Sequence, residues 1–182
     1  MRMKRLALMV ISLFLVGVLA ACGGKDTIEE EKVSLEEIYT DIKDEMAKDL
    51  KEGGVEEPLV DGKLQSYLEL DLTKSDPENE FFIERLQLDK EQLEAGYVIA
   101  ALMNVNADEM ILLKAKDEES VPALKEILEN ELKNQVQTWE QYFPEQYEKV
   151  KNNIIKTNGQ YLIYITYDQP EKIAELFNLA TK

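Results

Sequence analysis

The chain contains no histidine and a single cysteine, Cys22. Without histidine, the Ser-His and Cys-His nucleophile pairs and imidazole metal sites are excluded. Without a second cysteine no disulfide can form within the chain, so stability has to come from packing. Neither GxGxxG nor GxxxxGK[ST] occurs, which leaves nucleotide binding through phosphate-cradling loops without support. Downstream of Cys22 the serines are Ser34, Ser66, Ser75 and Ser120, and none begins an S-x-x-K box. Positive charge is short as well. Lys and Arg number 21 against 37 Asp and Glu, a net charge of −16. Nucleic acid does not fit that balance as a partner, because affinity there rests on basic side chains neutralising phosphates.

The apolar residues gather first at the N-terminus. Arg2, Lys4 and Arg5 precede a stretch from Leu6 to Ala21 that only Ser12 and Gly17 interrupt. A basic start, a short apolar run and small residues at its end make a secretory signal. The run is too short to cross a ~30 Å hydrocarbon core comfortably, which takes about 20 apolar residues. Leu19-Ala20-Ala21-Cys22 resembles a bacterial lipobox. The resemblance implies that Cys22 receives a diacylglyceryl group, with acyl chains of the palmitate kind, and that cleavage follows Ala21. Two chains suffice for stable attachment where one does not. The expected organisation is therefore a lipoprotein signal peptide at 1–21, a flexible tether at 22–32 and a single domain at 33–182. Removing the three basic residues of the signal leaves 18 basic and 37 acidic side chains, a mature charge of −19. About ten tether residues reach roughly 35 Å, which keeps the domain close to the extracytoplasmic face of the membrane.

Within 33–182 the pattern predicts an α+β domain. Ser34 and Glu37 form a capping-box pattern, Val33 and Ile38 have staple spacing, and Leu35, Ile38, Ile42, Met46 and Leu50 recur on one helical face up to Gly53-Gly54. Leu59 to Leu72 fits neither period cleanly. Ser75 to Asn79 reads as an acidic turn without EF-hand spacing, and Phe81 to Leu86 as a short helix. Tyr97 to Met103 and Met110 to Ala115 are strand-length apolar runs joined by a loop. Ser120 is placed to cap a long helix that holds its period from Val121 to Phe143, and Pro144 can start a shorter one. Ile154 to Thr157 meets Gln160 to Tyr167 across Asn158-Gly159, a strong hairpin signal. Asp168 and Glu171 are placed to cap a last short helix. The expected architecture is a four-stranded antiparallel sheet from two β-hairpins, covered by a long helix, with an N-terminal and a C-terminal helix beside it.

Several segments also carry a family resemblance. Ala107-Asp108-Glu109-Met110-Ile111 is followed by Lys114-Ala115-Lys116-Asp117. Trp139-Glu140-Gln141-Tyr142-Phe143-Pro144-Glu145-Gln146-Tyr147 continues through Val150, Asn152 and Asn158-Gly159-Gln160-Tyr161. In that order they resemble a family of small Gram-positive lipoproteins known only as a domain of unknown function, family 4358, over roughly Leu72 to Asp168. The resemblance implies an extracytoplasmic lipoprotein and supplies no catalytic residue.

Carboxylates are the remaining chemistry. Asp108-Glu109 is the first pair to test for the spacing that glycoside hydrolysis needs, with a solvated hairpin loop as the plainer reading. Trp139, Tyr142 and Tyr147, near a helix break, form a candidate interaction surface, or else part of the core. No cofactor and no metal ligand set is expected. The favoured reading is a non-catalytic accessory domain that binds another envelope protein. A binder of small ligands or cell-wall fragments is the alternative, and a carboxylate-dependent hydrolase the third.

Overall fold

The computed structural model describes residues 33–182; the expected signal peptide, Ala21, Cys22 and the tether lie outside the described residues. The first helix, α1 (Leu35–Glu52), begins as its sequence predicts. Ser34 Oγ accepts from the Glu37 N–H at 3.2 Å and Glu37 Oε2 accepts from the Ser34 N–H at 2.9 Å, which satisfies two of the orphan donors at the helix start. Gly53 caps the C-terminus, and Gly54 then takes φ +97°.

The ambiguous segment resolves into strands. β1 (Leu59–Val60) and β2 (Lys63–Leu64) make a two-stranded hairpin around Asp61 and Gly62, both at positive φ. β3 (Tyr67–Asp71) pairs with β4 (Leu93–Ala101) and adds a fifth strand to the main sheet. The expected four strands are therefore five. The reason lies in the two faces of β3. Leu68 and Leu70 pack on one side, whereas Glu69 on the other accepts from Tyr39 and lies 3.6 Å from Lys43. The polar partners on that side blur the apolar alternation that would have announced a strand.

Asp76 caps α2 (Pro77–Leu86), with Pro77 in its first turn. The expected acidic turn is thus a helix start, and Asn79 is buried there, donating to the carbonyls of Asp71 and Lys74. A short 3-10 turn leads into β4, which pairs with β5 (Glu109–Ala115). The long helix α3 (Val121–Trp139) follows, then α4 (Pro144–Lys151), β6 (Ile154–Asn158), β7 (Tyr161–Thr166) and α5 (Pro170–Ala180). Two expected caps differ. Ser120 makes no side-chain cap bond; Asp117 Oδ1 instead accepts from its N–H. Gln169, not Asp168, precedes α5, which starts at Pro170, and the Asp168 carboxylate lies 3.0 Å from Lys149. The β6–β7 turn also sits one residue later than expected: Asn158 pairs with Tyr161, so Gly159-Gln160 is the loop, with Gly159 at φ +55°.

The main sheet is antiparallel throughout, in the order β3-β4-β5-β7-β6. Both of its faces are covered. On one, Ile99, Met110, Leu112, Ile163 and Ile165 pack against α1 and α5 through Ile38, Met46, Ile173 and Phe177. On the other, Val98, Ile111, Leu113, Leu162 and Tyr164 pack against α2 and α3 through Phe82, Leu86, Leu124 and Leu128. The long helix therefore covers one face as expected, and the domain has a third layer that the expectation lacked. A smaller cluster of Ala107, Trp139 and Val150 sits beneath the α3–α4 turn. Among the described residues no helix is long and apolar enough to cross a membrane.

Candidate functional site

The candidate residues fall in three separate places. Asp108 and Glu109 are adjacent in the chain, and neither is a solvated loop residue. Successive side chains of an extended segment point to opposite faces, and here the two carboxylates diverge. Asp108 accepts from the Tyr67 hydroxyl at 2.6 Å and pairs with Lys149 at 2.5 Å. Glu109 turns to the other face and pairs with Arg85 at 2.7 Å. They do not converge on a common point, so the geometry of a paired-carboxylate hydrolase is not built by them.

Around Glu109 lies a buried charge network. Arg85 forks between Glu109 and Glu131, at 2.7 Å to each. Gln135 Nε2 donates to Glu131 Oε1 at 2.6 Å, and Trp139 Nε1 donates to Gln135 Oε1 at 2.9 Å. Two carboxylates thus share one guanidinium. Burial and the nearby negative charge of Glu131 push Glu109 up to about 8, against the pull of Arg85. Burial and Glu109 likewise raise the neighbouring Tyr164 phenol. Arg85 and Glu131 also form part of the lining of an open polar furrow of about 600 Å³ between α2 and α3, together with amides such as Gln87, Asn130 and Asn134 and the charged Asp89, Glu126 and Lys133. Arg85 and Glu131 carry no functional signal in the sequence taken one at a time. Glu131 and Gln135 do stand out in one respect: they continue the stripe Leu124, Leu128 toward Trp139, a polar pair where the helical period calls for apolar residues.

The aromatic candidates separate. Trp139 is only 6% exposed and belongs to the small core with Ala107 and Val150. Tyr147 is half-buried at the edge of that core. Tyr142 is 58% exposed and stands edge-on to Phe143, ring centroids 4.8 Å apart. Trp139 is therefore a support and Tyr142 a surface group. Tyr161 and Tyr167 lie with the α1/α5 core, and Tyr164 with the opposite one.

Sequence reasoning missed a second exposed apolar segment. In the β4–β5 loop Leu102 is 63% and Met103 58% exposed, and Val105 is also exposed. The loop is fixed to the α3–α4 region: the Ala107 N–H donates to Gln146 Oε1 at 2.9 Å, and Ala107 packs against Trp139 and Val150. Tyr142 and the loop thus decorate the same end of the sheet, where β7 ends at Thr166 opposite Glu109. The first described residue, Val33, is at the other end. Its carbonyl accepts from the hydroxyl of Tyr161, the first residue of β7, at 2.9 Å.

These features define a three-layer α+β domain with one apolar end and a buried, carboxylate-rich interior. The chain belongs to the family described as Domain of unknown function (DUF4358), whose model matches residues 67–167. That span takes in β3 through β7 and both buried charge clusters. No curated protein and no solved structure matches the chain.

Proposed function

We propose that the chain is a membrane-anchored extracytoplasmic lipoprotein, held through a lipid on Cys22, whose domain is a non-catalytic accessory module that docks another envelope protein. The observation that carries the docking is the exposure of Leu102, Met103 and Val105, with Tyr142 and Phe143, at the end of the sheet away from Val33. Covering these side chains contributes about 25 cal/mol per Å² of apolar area, against the cost of association. The anchor itself is supported by the lipobox pattern around Ala21 and Cys22.

One cellular experiment tests both halves. The chain is cross-linked in intact cells, recovered through its C-terminus, and its partners are identified by mass spectrometry. Cys22→Ala is expected to move the protein out of the membrane fraction. Leu102→Asp is expected to remove a specific cross-linked partner that Leu179→Asp, at an exposed leucine on α5, retains. Membrane retention of the Cys22→Ala protein would sink the anchor, and a partner indifferent to Leu102→Asp would sink the docking surface.

A further inference from the structure

In the β4–β5 loop the main chain is tied down while one soft side chain is left outside. The Leu102 N–H donates to the Ser66 carbonyl at 3.0 Å, and the Asn106 N–H donates to the Met103 carbonyl at 3.1 Å. The Met103 side chain is 58% exposed, flanked by the exposed Leu102 and Val105. The other two methionines among the described residues are enclosed. Met46 on α1 is 0% exposed and Met110 on β5 is 3% exposed, both in the core that α1 and α5 cover.

Nothing else among the described residues competes for an oxidant in the same way. They include no cysteine, and Trp139, the one indole of the chain, is 6% exposed. Susceptibility of a thioether to oxidation follows its exposure, which singles out Met103. The change matters at this position because Met103 stands in the apolar surface. A sulfoxide is polar and accepts hydrogen bonds, so a partner that covers it must strip its hydration. The hydrogen bonds that hold the loop are made by backbone groups and do not involve the sulfur. Oxidation therefore alters the surface and spares the fold.

We propose that Met103 is an oxidation site through which a hydroperoxide turns off the docking surface. The proposal deepens, and rests on, the docking reading of the apolar end. A lone pair on the Met103 sulfur attacks one oxygen of hydrogen peroxide. The S–O bond forms as the O–O bond breaks, and the departing hydroxide takes the proton of the transferred hydroxyl and leaves as water. Sulfur gives up two electrons and the peroxide receives them. A neutral oxidant suits this chain, because an anionic one meets a net charge of −16. A dithiol reverses the step through a methionine sulfoxide reductase, releasing the oxygen as water and becoming a disulfide.

The test treats intact cells carrying the full chain with hydrogen peroxide, recovers the chain through its C-terminus with and without cross-linking, and maps its peptides by mass spectrometry. Sulfoxide is expected at Met103 about tenfold faster than at Met46 or Met110. The cross-linked partner is expected to fall about tenfold in parallel, the scale set by burying a methionine side chain. Peroxide also reaches the partner, so two variants carry the assignment. Met103→Gln, which sets a polar amide where the sulfoxide would stand, is expected to weaken the cross-link to the same degree without peroxide. Met103→Leu, whatever its own yield, is expected to hold that yield through the treatment. Thermal unfolding checks that both variants are folded. Equal oxidation of the three methionines, a partner held undiminished by the oxidised chain, a parental cross-link in Met103→Gln, or a Met103→Leu cross-link that peroxide still removes overturns the proposal. The two readings fail separately. Each of those results leaves a captured partner and the docking intact, whereas no partner in untreated cells removes the docking and the switch with it.

Discussion

Replacing Arg85 with Met is expected to lower the unfolding free energy by about 3–5 kcal/mol, the cost of removing one partner from a buried ion pair. The substitution keeps a long apolar side chain against Phe82, over whose ring the guanidinium lies at 4.2 Å, so lost packing is a minor part of the effect. What changes is charge. Glu109 and Glu131 would face each other with no cation between them, so the proton that Glu109 already holds at pH 7 is bound more tightly and Glu131 is left as an uncompensated buried charge. Urea unfolding at pH 7 reads the difference, and a loss below about 1 kcal/mol, the scale of an exposed pair, would mean the network is solvated. The wild-type chain carries a related pH signature. Glu109 stands near 8 in the folded protein against an ordinary 4.5, so the folded state holds more protons than the unfolded one between those values. Its stability contribution is full below about 4.5 and is lost as pH rises through about 8. The groups that face it are Arg85, Glu131 and the Tyr164 phenol, and Glu131→Gln removes the nearest negative charge. That variant should flatten the slope between pH 5 and 8, and an unchanged slope would place the proton elsewhere.

Trp139→Ala is expected to cost about 3–5 kcal/mol, the range for truncating a large buried aromatic side chain. Its indole packs on Ala107 and Val150, and its N–H holds Gln135, which in turn holds Glu131. Truncation therefore both opens a cavity and loosens the charge network behind it. Tyr142→Ser, three residues on, is expected to change stability by no more than about 0.5 kcal/mol. It should nevertheless weaken the cellular cross-link, because Tyr142 is a surface group. Thermal unfolding of the two variants separates support from surface. Comparable losses of stability in both would return Tyr142 to the core and remove it from the docking surface.

Much of the fold is legible in the order of residues. The capping box at Ser34, the apolar stripe from Leu35 to Leu50 and the apolar run of β7 after Asn158-Gly159 each report a local rule, and local rules are what a sequence carries openly. β3 escaped for a physical reason. Its polar face is occupied by Glu69, whose charge is met by Tyr39 and Lys43 from α1, more than 25 residues away. The hairpin around Asp61-Gly62 went unread with the rest of Leu59 to Leu72, because strands of two residues leave no period to read. The charge clusters are less visible still. Arg85, Glu109 and Glu131 come from α2, β5 and α3, and only tertiary folding brings them together. A single charged residue on an amphipathic helix looks like solvated surface until its partner is known. The apolar loop from Leu102 to Val105 reads from sequence as the end of a strand, and its exposure depends on β4 stopping at Ala101.

The placement of Val33 and the β4–β5 loop at opposite ends of the sheet fixes how the domain would carry mechanical load. Tyr161 and Thr166 are the first and last residues of β7, about 17 Å apart at some 3.4 Å per residue. A pull between an anchor at Val33 and a partner at Leu102 therefore runs along the strands. Antiparallel ladder bonds lie across that direction, so they are strained together in shear and do not open one after another. Single-molecule pulling between Val33 and Val105 should accordingly need more force than pulling that peels the edge strand β6 from β7. Lacking disulfides, a domain fastened at one end and loaded at the other would draw its resistance to force from the direction of its strands.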